Sequence, residues 1–470
     1  MSFKYQATRV GPAHYILPPC GKMLVEAHAF LSEDLYDASE ESVWQQIANG
    51  ASFPGVQSAY LMPDCHSGYG VPIGSVIVTD KTLIQGGSGY DISCGIIHIL
   101  CQGLSAKGVR SWHKRETWVQ EVEKRIALGV GSDRPSLMPS FSSTEVNEIL
   151  RHGAAALKVP AHQCERQFIP IPEGTDFEKI EKAYRSVGLQ LGSVGGGNHY
   201  VELQVDRVTG EVWVMIHCGS RGYGWQTANH FFYEGAKLRG LPSNRREDSY
   251  LFIDEPLGKE YWAYHNSAAN FAIANRHVIV RGVLEALEEV FQATGEVYYE
   301  ISHNLIQEES VRLPDGTFKK GFVHRKGATR AFPAGHPALE RTAWAETGHP
   351  CLIPGSMLDG AAILFPQERA YKSACSVNHG SGRKMARGEA KRKLGHKQDR
   401  IDDEMRTIKR VFGPDQVQIE GIVGNSKHTP LDECGAVYKD LDTVLEVLEK
   451  EGIAKVAHRL WPVANLKGTD

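Results

Sequence analysis

The chain has 470 residues, 41% of them hydrophobic and 23% charged, with a formal net charge of −4. That is enough apolar material for a large core and too little positive charge for a global field that gathers nucleic acid, so any such binding must come from a local patch. Nine cysteines without a CxxC pair argue for free thiols in a reducing compartment. The N-terminus MSFKYQATRV has no apolar leader and no run reaches the length of a membrane span, so a cytoplasmic protein with no membrane partner is expected.

Residues 1–60 read as small strands and one helix over 40–49, with Ser39 as N-cap and Gly50 as its stop. A Pro/Gly-rich loop then presents Asp64, Cys65 and His66 and runs into an apolar strand at 76–78. The stretch GGSGYDISCG, 86–95, places Asp91 and Cys94 three residues apart among glycines. A carboxylate and a thiolate on so slim a backbone can converge on one metal ion. A buried cysteine beside a turn-capping aspartate is the ordinary alternative for an isolated pair. Surface helices are expected over 111–128 and 142–157, the second opening on a Ser142-x-x-Glu145 capping box. A polar loop lies between them, another follows over 158–176, and a short amphipathic helix spans 175–187.

The glycine run before Asn198, His199 and Tyr200 lacks both a helix-opening GxGxxG and a GK[ST], which excludes dinucleotide and P-loop readings. The strand that follows alternates Val201, Leu203 and Val205 with Glu202 and Gln204, which therefore share a face. A second apolar strand, from residue 211, ends at His217, before Gly219, Ser220, Arg221 and Gly222; Arg221 among small residues suits a phosphate contact. The longest helix is expected over 260–291, with Asn270, Asn275 and Arg276 facing either solvent or a site. A strand at 297–301 leads into Ser302, His303 and Asn304, and HRKGATR, 324–330, gathers cations. His379 precedes Gly-Ser-Gly-Arg and a basic helical run from Arg383 to Arg400. Such a turn before a helix makes an anion pocket, and the run is either a solvated face or a polyanion dock. A last amphipathic helix spans 440–451.

Asp91, Cys94, His199, His217 and His303 exceed what one tetrahedral structural site needs. They suit one open metal site or two sharing the sulfur, with Zn, Mn, Co and Fe all compatible with the mixed donors. His379 is left over beside the glycine loop, where an imidazole near a metal-held phosphate can act as a nucleophile.

The segments MPDCHSGYGVPIG, GGSGYDISCG, GGGNHYVELQ, MIHCGSRGYG, SHN, VHRKGATRAF, IPGSM and HGSGR, with the terminal YKD and LKG, occur in the order of the RtcB family of RNA-splicing ligases. The chain resembles that family from about residue 60 to its C-terminus. The resemblance implies a single mixed α/β fold over 1–470, with central sheets flanked by helices around a deep metal-binding cleft. It implies a GTP- and Mn²⁺-dependent ligase that joins RNA 3′-phosphate or 2′,3′-cyclic phosphate ends to 5′-hydroxyl ends. His379 would carry GMP, oriented by Asp64, and hand it to the RNA as an RNA(3′)pp(5′)G intermediate. Cys94 would bridge two Mn²⁺ ions, Asp91 and His199 completing one site and His217 and His303 the other. Asn198, Tyr200, Glu202, Ser356, Ser381, Tyr438 and Lys467 would line the guanylate pocket, with Glu202 accepting from guanine N–H groups. Arg221, Lys326 and Arg383 would hold RNA phosphate. Partners implied are the RNA ends and an Archease-like activator. Departures from the family pattern at Cys65, Ser67, Ser88, Tyr90, Cys218, Leu358, Asp359 and Ser381 leave the substrate open among spliced tRNA, broken RNA under repair and other 3′-phosphate ends. Two other readings keep the same residues: a cyclic phosphodiesterase or 3′-end capping enzyme that does not seal, and a non-catalytic RNA-binding protein.

Overall fold

Runs of β-branched and aromatic residues build the strands, as their preference for a pleated, half-buried surface dictates. The computed structural model describes residues 2–129, 134–313 and 315–468. It is a mixed α/β fold on two large sheets. The first runs, in spatial order, Thr8–Arg9, His14–Leu17, Ala27–Phe30, Val56–His66, Ile73–Thr79, Phe318–Lys326 and Asn304–Arg312. The second runs Thr294–Ser302, Gly95–Ser105, Glu211–Cys218, Tyr200–Asp206, Ala454–Leu466, Ala361–Pro366 and Cys351–Pro354, with Val423–Gly424 added in parallel to Ala454–Leu466.

Helices pack against both sheets. Val43, Trp44 and Ile47 of the helix Glu41–Gly50 pack with Phe30, Tyr60 and Ile77 of the first sheet. Trp118 of Trp112–Glu123 and Ile279 and Val283 of Pro256–Phe291 pack on Ile97, Leu203 and Val214 of the second. The chain passes from one sheet to the other at His303, between the strands Thr294–Ser302 and Asn304–Arg312. Among the described residues no helix is long and apolar enough to cross a membrane.

Several boundaries differ from the sequence reading. Ser39 closes the helix Glu33–Ala38 rather than opening the next one, so the first sixty residues hold two helices. Its Oγ instead accepts Trp44 Nε1 at 2.9 Å. The Ser142/Glu145 capping box is present, but the α-helix stops at His152, where Gly153 turns to a φ of 52°. Helix Trp112–Glu123 ends early because Ala127 pairs with Ser193. Residues 130–133 of the loop expected after it lie outside the described residues. The helix expected at 175–187 begins at Glu181, since Asp176 first closes a turn onto the Glu178 N–H. The basic helix begins only at Arg387, so the glycine turn after His379 does not abut a helix N-terminus.

Candidate active site

Strand register gathers the five candidate ligands. Gly95 pairs with Ser302 on one side and Cys218 on the other, and His217 pairs with Tyr200. Antiparallel pairing sets the start of one strand beside the end of the next. Cys94, His199, His217 and His303 therefore meet at one end of the sheet, from four strands far apart in sequence. The His303 N–H donates to the Cys94 carbonyl at 2.8 Å. Behind them the fully buried Arg276 donates to the Ser93 and Cys218 carbonyls at 2.7 and 2.8 Å while paired with Glu300. Asn275 bonds the Gly192 N–H and the Ser193 carbonyl. These two residues thus face neither solvent nor the site; they hold the loops that carry the ligands.

Cys94 Sγ lies 3.3 Å from His199 Nε2 and 3.2 Å from His217 Nε2. Asp91 Oδ2 stands 2.9 Å from His199 Nε2, and His303 Nε2 stands 3.3 Å from His217 Nε2. His199 Nδ1 lies 3.1 Å from the Val194 carbonyl, which turns Nε2 toward the thiol and the carboxylate. Asp91 is fixed by the Ser220 N–H at 3.0 Å, and a Cβ on Gly219 would run into it. Burial opposes the Asp91 charge, but the hydrogen bond and charge of His199, with Arg221, hold its carboxyl at about 2. Burial drives His217 well below the ordinary imidazole value, helped by His199, and does the same to His303, helped by His379. Burial, with Asp91, pushes the Cys94 thiol well above its usual value. Imidazoles, a carboxylate and a thiol that ionises only against a cation are a donor set that suits a metal centre. Among the described residues, Cys94, His199 and His217 form the one such group with ligand atoms within 4.8 Å of one another.

The His379 ring sits edge-on to His303, centroids 5.0 Å apart. Asp64, fully buried, places Oδ2 2.6 Å from His379 Nδ1 and takes the His379 and Gly380 N–H groups at 3.1 and 3.2 Å. A carboxylate on Nδ1 leaves Nε2 free to attack. Gly382, at φ +76°, lets the loop close over the Asp64 carbonyl, where a Cβ would clash. His66 also faces the site, its Nδ1 3.0 Å from the Asp64 carbonyl, and burial lowers it to about 4.

One cavity of about 340 Å³ takes in Asp91, Cys94, His217, His303 and His379, and with them Asn198, Tyr200, Glu202, Ser356, Ser381, Tyr438 and Lys467. Glu202 accepts Gln204 and Asn465, each at 2.7 Å, and burial raises its carboxyl to about 7 against the pull of those bonds, Lys467 and Arg410. Lys467 lies 5.3 Å over the Tyr200 ring and 3.7 Å from Glu433, which also binds the Tyr438 hydroxyl. Ser356 Oγ donates to Asp359 at 2.9 Å, a partner created by a departure from the family pattern. Ser381 Oγ, at another departure, is buried without a partner among the described residues.

The three candidate RNA contacts divide. Lys326 lines the cavity, its ammonium on the Tyr69 and Val71 carbonyls, and burial lowers it to about 7. Arg383 lines it too, but pairs with Glu433 at 3.3 Å and with the Tyr438 hydroxyl at 3.2 Å. Arg221 stands behind the ligands rather than in the cavity. Its guanidinium lies 3.4 Å from His199 Nδ1 and donates to the Gly129 carbonyl at 3.0 Å. The basic run after Arg383 is partly neutralised, since Arg387 and Lys391 face Asp432 and Glu433. Sequence reasoning missed Asn304, Glu433 and Asn465 in the cavity wall. Asn465 shared a strand face with Lys467 and was findable by alternation; Glu433 carried no local signal.

Comparison with known proteins adds an independent line. The family described as "tRNA-splicing ligase RtcB" matches residues 46–468. A tRNA-splicing ligase RtcB of Thermococcus kodakarensis is 33% identical, covering 98% of each chain. One from Archaeoglobus fulgidus is 34% identical over 95% of each. An RNA-splicing ligase RtcB homolog 1 from Entamoeba dispar is 31% identical over 94% of this chain and 87% of its own.

Proposed function

The chain belongs to the RtcB family of tRNA-splicing ligases, and on that premise we propose that it is a GTP- and Mn²⁺-dependent ligase joining RNA 3′-phosphate or 2′,3′-cyclic phosphate ends to 5′-hydroxyl ends. The observation that carries the reading is His379, backed by Asp64 on Nδ1 and opening on the same cavity as the metal donors.

The residues present fit divalent cations. His199 Nε2 stands 2.9 Å from Asp91 Oδ2, two imidazole Nε2 atoms stand 3.3 Å apart, and the Cys94 sulfur touches one imidazole of each pair. These converging nitrogen, oxygen and sulfur atoms are donors that a cation among them would draw together. Asp91, Cys94 and His199 would hold one ion and Cys94, His217 and His303 the other; carboxylate ligation with open positions suits Mn²⁺, the metal the family resemblance implies. When bound, the ions supply charge neutralisation for the triphosphate and align its leaving group.

The chain's own residues do the rest. Glu202 accepts the guanine N–H groups, a donor pattern adenine lacks. Lys467 and Tyr438 hold the guanylate. His379 Nε2 attacks the α-phosphorus, forming an N–P bond as the bond to pyrophosphate breaks, and Asp64 stabilises the cationic ring. An oxygen of the RNA 3′-phosphate then attacks that phosphorus, His379 leaves with its lone pair, and RNA(3′)pp(5′)G forms. The 5′-hydroxyl attacks the 3′-phosphorus, loses its proton, and expels GMP. Lys326 and Arg383, which line the cavity, hold RNA phosphate. All nine cysteines are free, which supports a reducing, cytoplasmic setting.

The test incubates two RNA strands, one ending in a labelled 3′-phosphate or 2′,3′-cyclic phosphate and one with a 5′-hydroxyl, with Mn²⁺, with and without GTP, and with and without an Archease-like activator. A joined product retaining the labelled 3′-phosphate at the junction is expected. A cyclic phosphate opened without GTP and never joined would mean a phosphodiesterase; a guanylylated 3′ end that is never sealed would mean a capping enzyme. Salt-sensitive RNA binding unaffected by Cys94→Ala, with no reaction, would mean a binding protein.

A further inference from the structure

Tyr69 and Tyr90 line the cavity, and Trp225 joins them by stacking on Tyr90. Tyr69, on the loop after the strand Val56–His66, is 69% exposed, and Trp225, on the helix Arg221–Leu238, is 47% exposed. Tyr90 lies between them: it stacks on Trp225 at 5.9 Å and 22°, and meets Tyr69 edge-on at 6.3 Å. Phe232, two helical turns beyond Trp225 and on the same face, supports Tyr90 from below at 4.9 Å. Arg246 donates to the Tyr90 hydroxyl at 3.2 Å. Tyr69, Tyr90 and Phe232 line the cavity that also holds Cys94 and His303.

Single exposed aromatics on a surface need no explanation, but an ordered row leading into a reaction cavity does. Trp225 has Tyr90 stacked on it and still leaves about half of its surface to solvent. Beneath Tyr69, the Lys326 ammonium donates to the Tyr69 and Val71 carbonyls, the latter at 2.9 Å. Lys326 itself lines the cavity. A flat π surface beside a cation is how single-stranded nucleic acid is held without regard to sequence, bases on the rings and phosphate on the charge.

We propose that Tyr69, Tyr90 and Trp225 form a stacking shelf for the unpaired base next to the break in the RNA. The shelf delivers the strand end to the metal centre. It rests on the ligase reading for its ligand, single-stranded RNA, and it reads stacking rather than base identity. The hydroxyl of Tyr90 pins the central ring, and Tyr69 and Trp225 are the working faces.

The test measures binding of short single-stranded RNAs by fluorescence anisotropy, without GTP, so that it is separate from the chemistry. One RNA ends in a 3′-phosphate and the other begins with a 5′-hydroxyl; each is also made with an abasic terminal nucleotide. Trp225→Ala and Tyr69→Ala should each weaken binding of at least one intact strand about tenfold, the low end for a stacked base. Tyr69→Phe should restore it. With the abasic form of that strand the loss should largely vanish, which also identifies the end that stacks. Changing the terminal base should matter little. Undiminished affinity in both alanine variants overturns the shelf, as does an equal loss with intact and abasic RNA. Incorporation of α-labelled GTP should be normal in Trp225→Ala. Labelling of the wild type with no aromatic-dependent binding sinks the shelf and spares the ligase; aromatic-dependent binding with no labelling does the reverse.

Discussion

Asp64→Asn separates two roles that a carboxylate on a nucleophilic histidine can play. All three donors around Asp64 converge on Oδ2: His379 Nδ1 at 2.6 Å, the His379 N–H at 3.1 Å and the Gly380 N–H at 3.2 Å. Oδ1 is buried and has no partner among the described residues. In the asparagine variant both backbone donors require an acceptor at the Oδ2 position, so the amide oxygen goes there and the NH₂ takes the Oδ1 position. His379 keeps its proton on Nδ1 and its lone pair on Nε2; only the charge is lost. Replacing a charged by a neutral acceptor, and forfeiting the support of a cationic ring, costs about 2 kcal/mol, or roughly 30-fold in rate. Asp64→Ala removes the acceptor altogether and frees the ring to its other tautomer, a fault that costs about 10⁴-fold in a serine-protease triad. Single-turnover incorporation of α-labelled GTP should therefore rank wild type, Asp64→Asn and Asp64→Ala with a modest first step and a large second one. An asparagine variant as dead as the alanine would mean that the amide nitrogen faces the ring, and the reasoning from the convergent donors would be wrong.

Three further outcomes follow from the same geometry. Because Cys94 touches both halves of the cluster, Cys94→Ala should lose both metal ions and His303→Ala only one, read as Mn²⁺ per chain after dialysis; a Cys94 variant that keeps one ion refutes the shared sulfur. Glu202 titrates at about 7 because burial outweighs Gln204, Asn465, Lys467 and Arg410. Its folded value lies above the unfolded one, so it favours folding at low pH and opposes it as pH rises through 7. Guanine recognition needs the carboxylate, so guanosine, which has no titrating phosphate, should bind about tenfold weaker for each pH unit below 7 and evenly above it; an unchanged slope in Glu202→Gln refutes the assignment. Arg276→Met strands Glu300 in the core and should cost about 3–5 kcal/mol in urea unfolding, with much of it recovered by adding Glu300→Met; a null effect would mean that the pair does not anchor the ligand loops.

The clustering of the candidate ligands was legible in the sequence because their geometry is written in strand ends. His199, His217 and His303 each abut a strand, and antiparallel register does the gathering. Helix starts were less legible. Ser39 has the chemistry of an N-cap, yet its hydroxyl serves Trp44, because tertiary packing outranks local capping preference. Arg221 reads as a phosphate contact from its small neighbours. Whether an arginine points into a cavity or at a backbone carbonyl such as that of Gly129 is decided by loops distant in sequence. The same holds for Glu433, whose place beside Lys467 and Tyr438 no spacing foretells, and for the aromatic shelf, which is assembled from separate loops and a helix.

The account stands most directly on where the nucleotide attaches. Intact protein incubated with GTP and Mn²⁺, quenched under alkaline conditions and digested for peptide mass mapping, should carry one guanylyl group per chain, on His379, and none in His379→Ala. A guanylyl group on any other residue, or full labelling of His379→Ala, would contradict it.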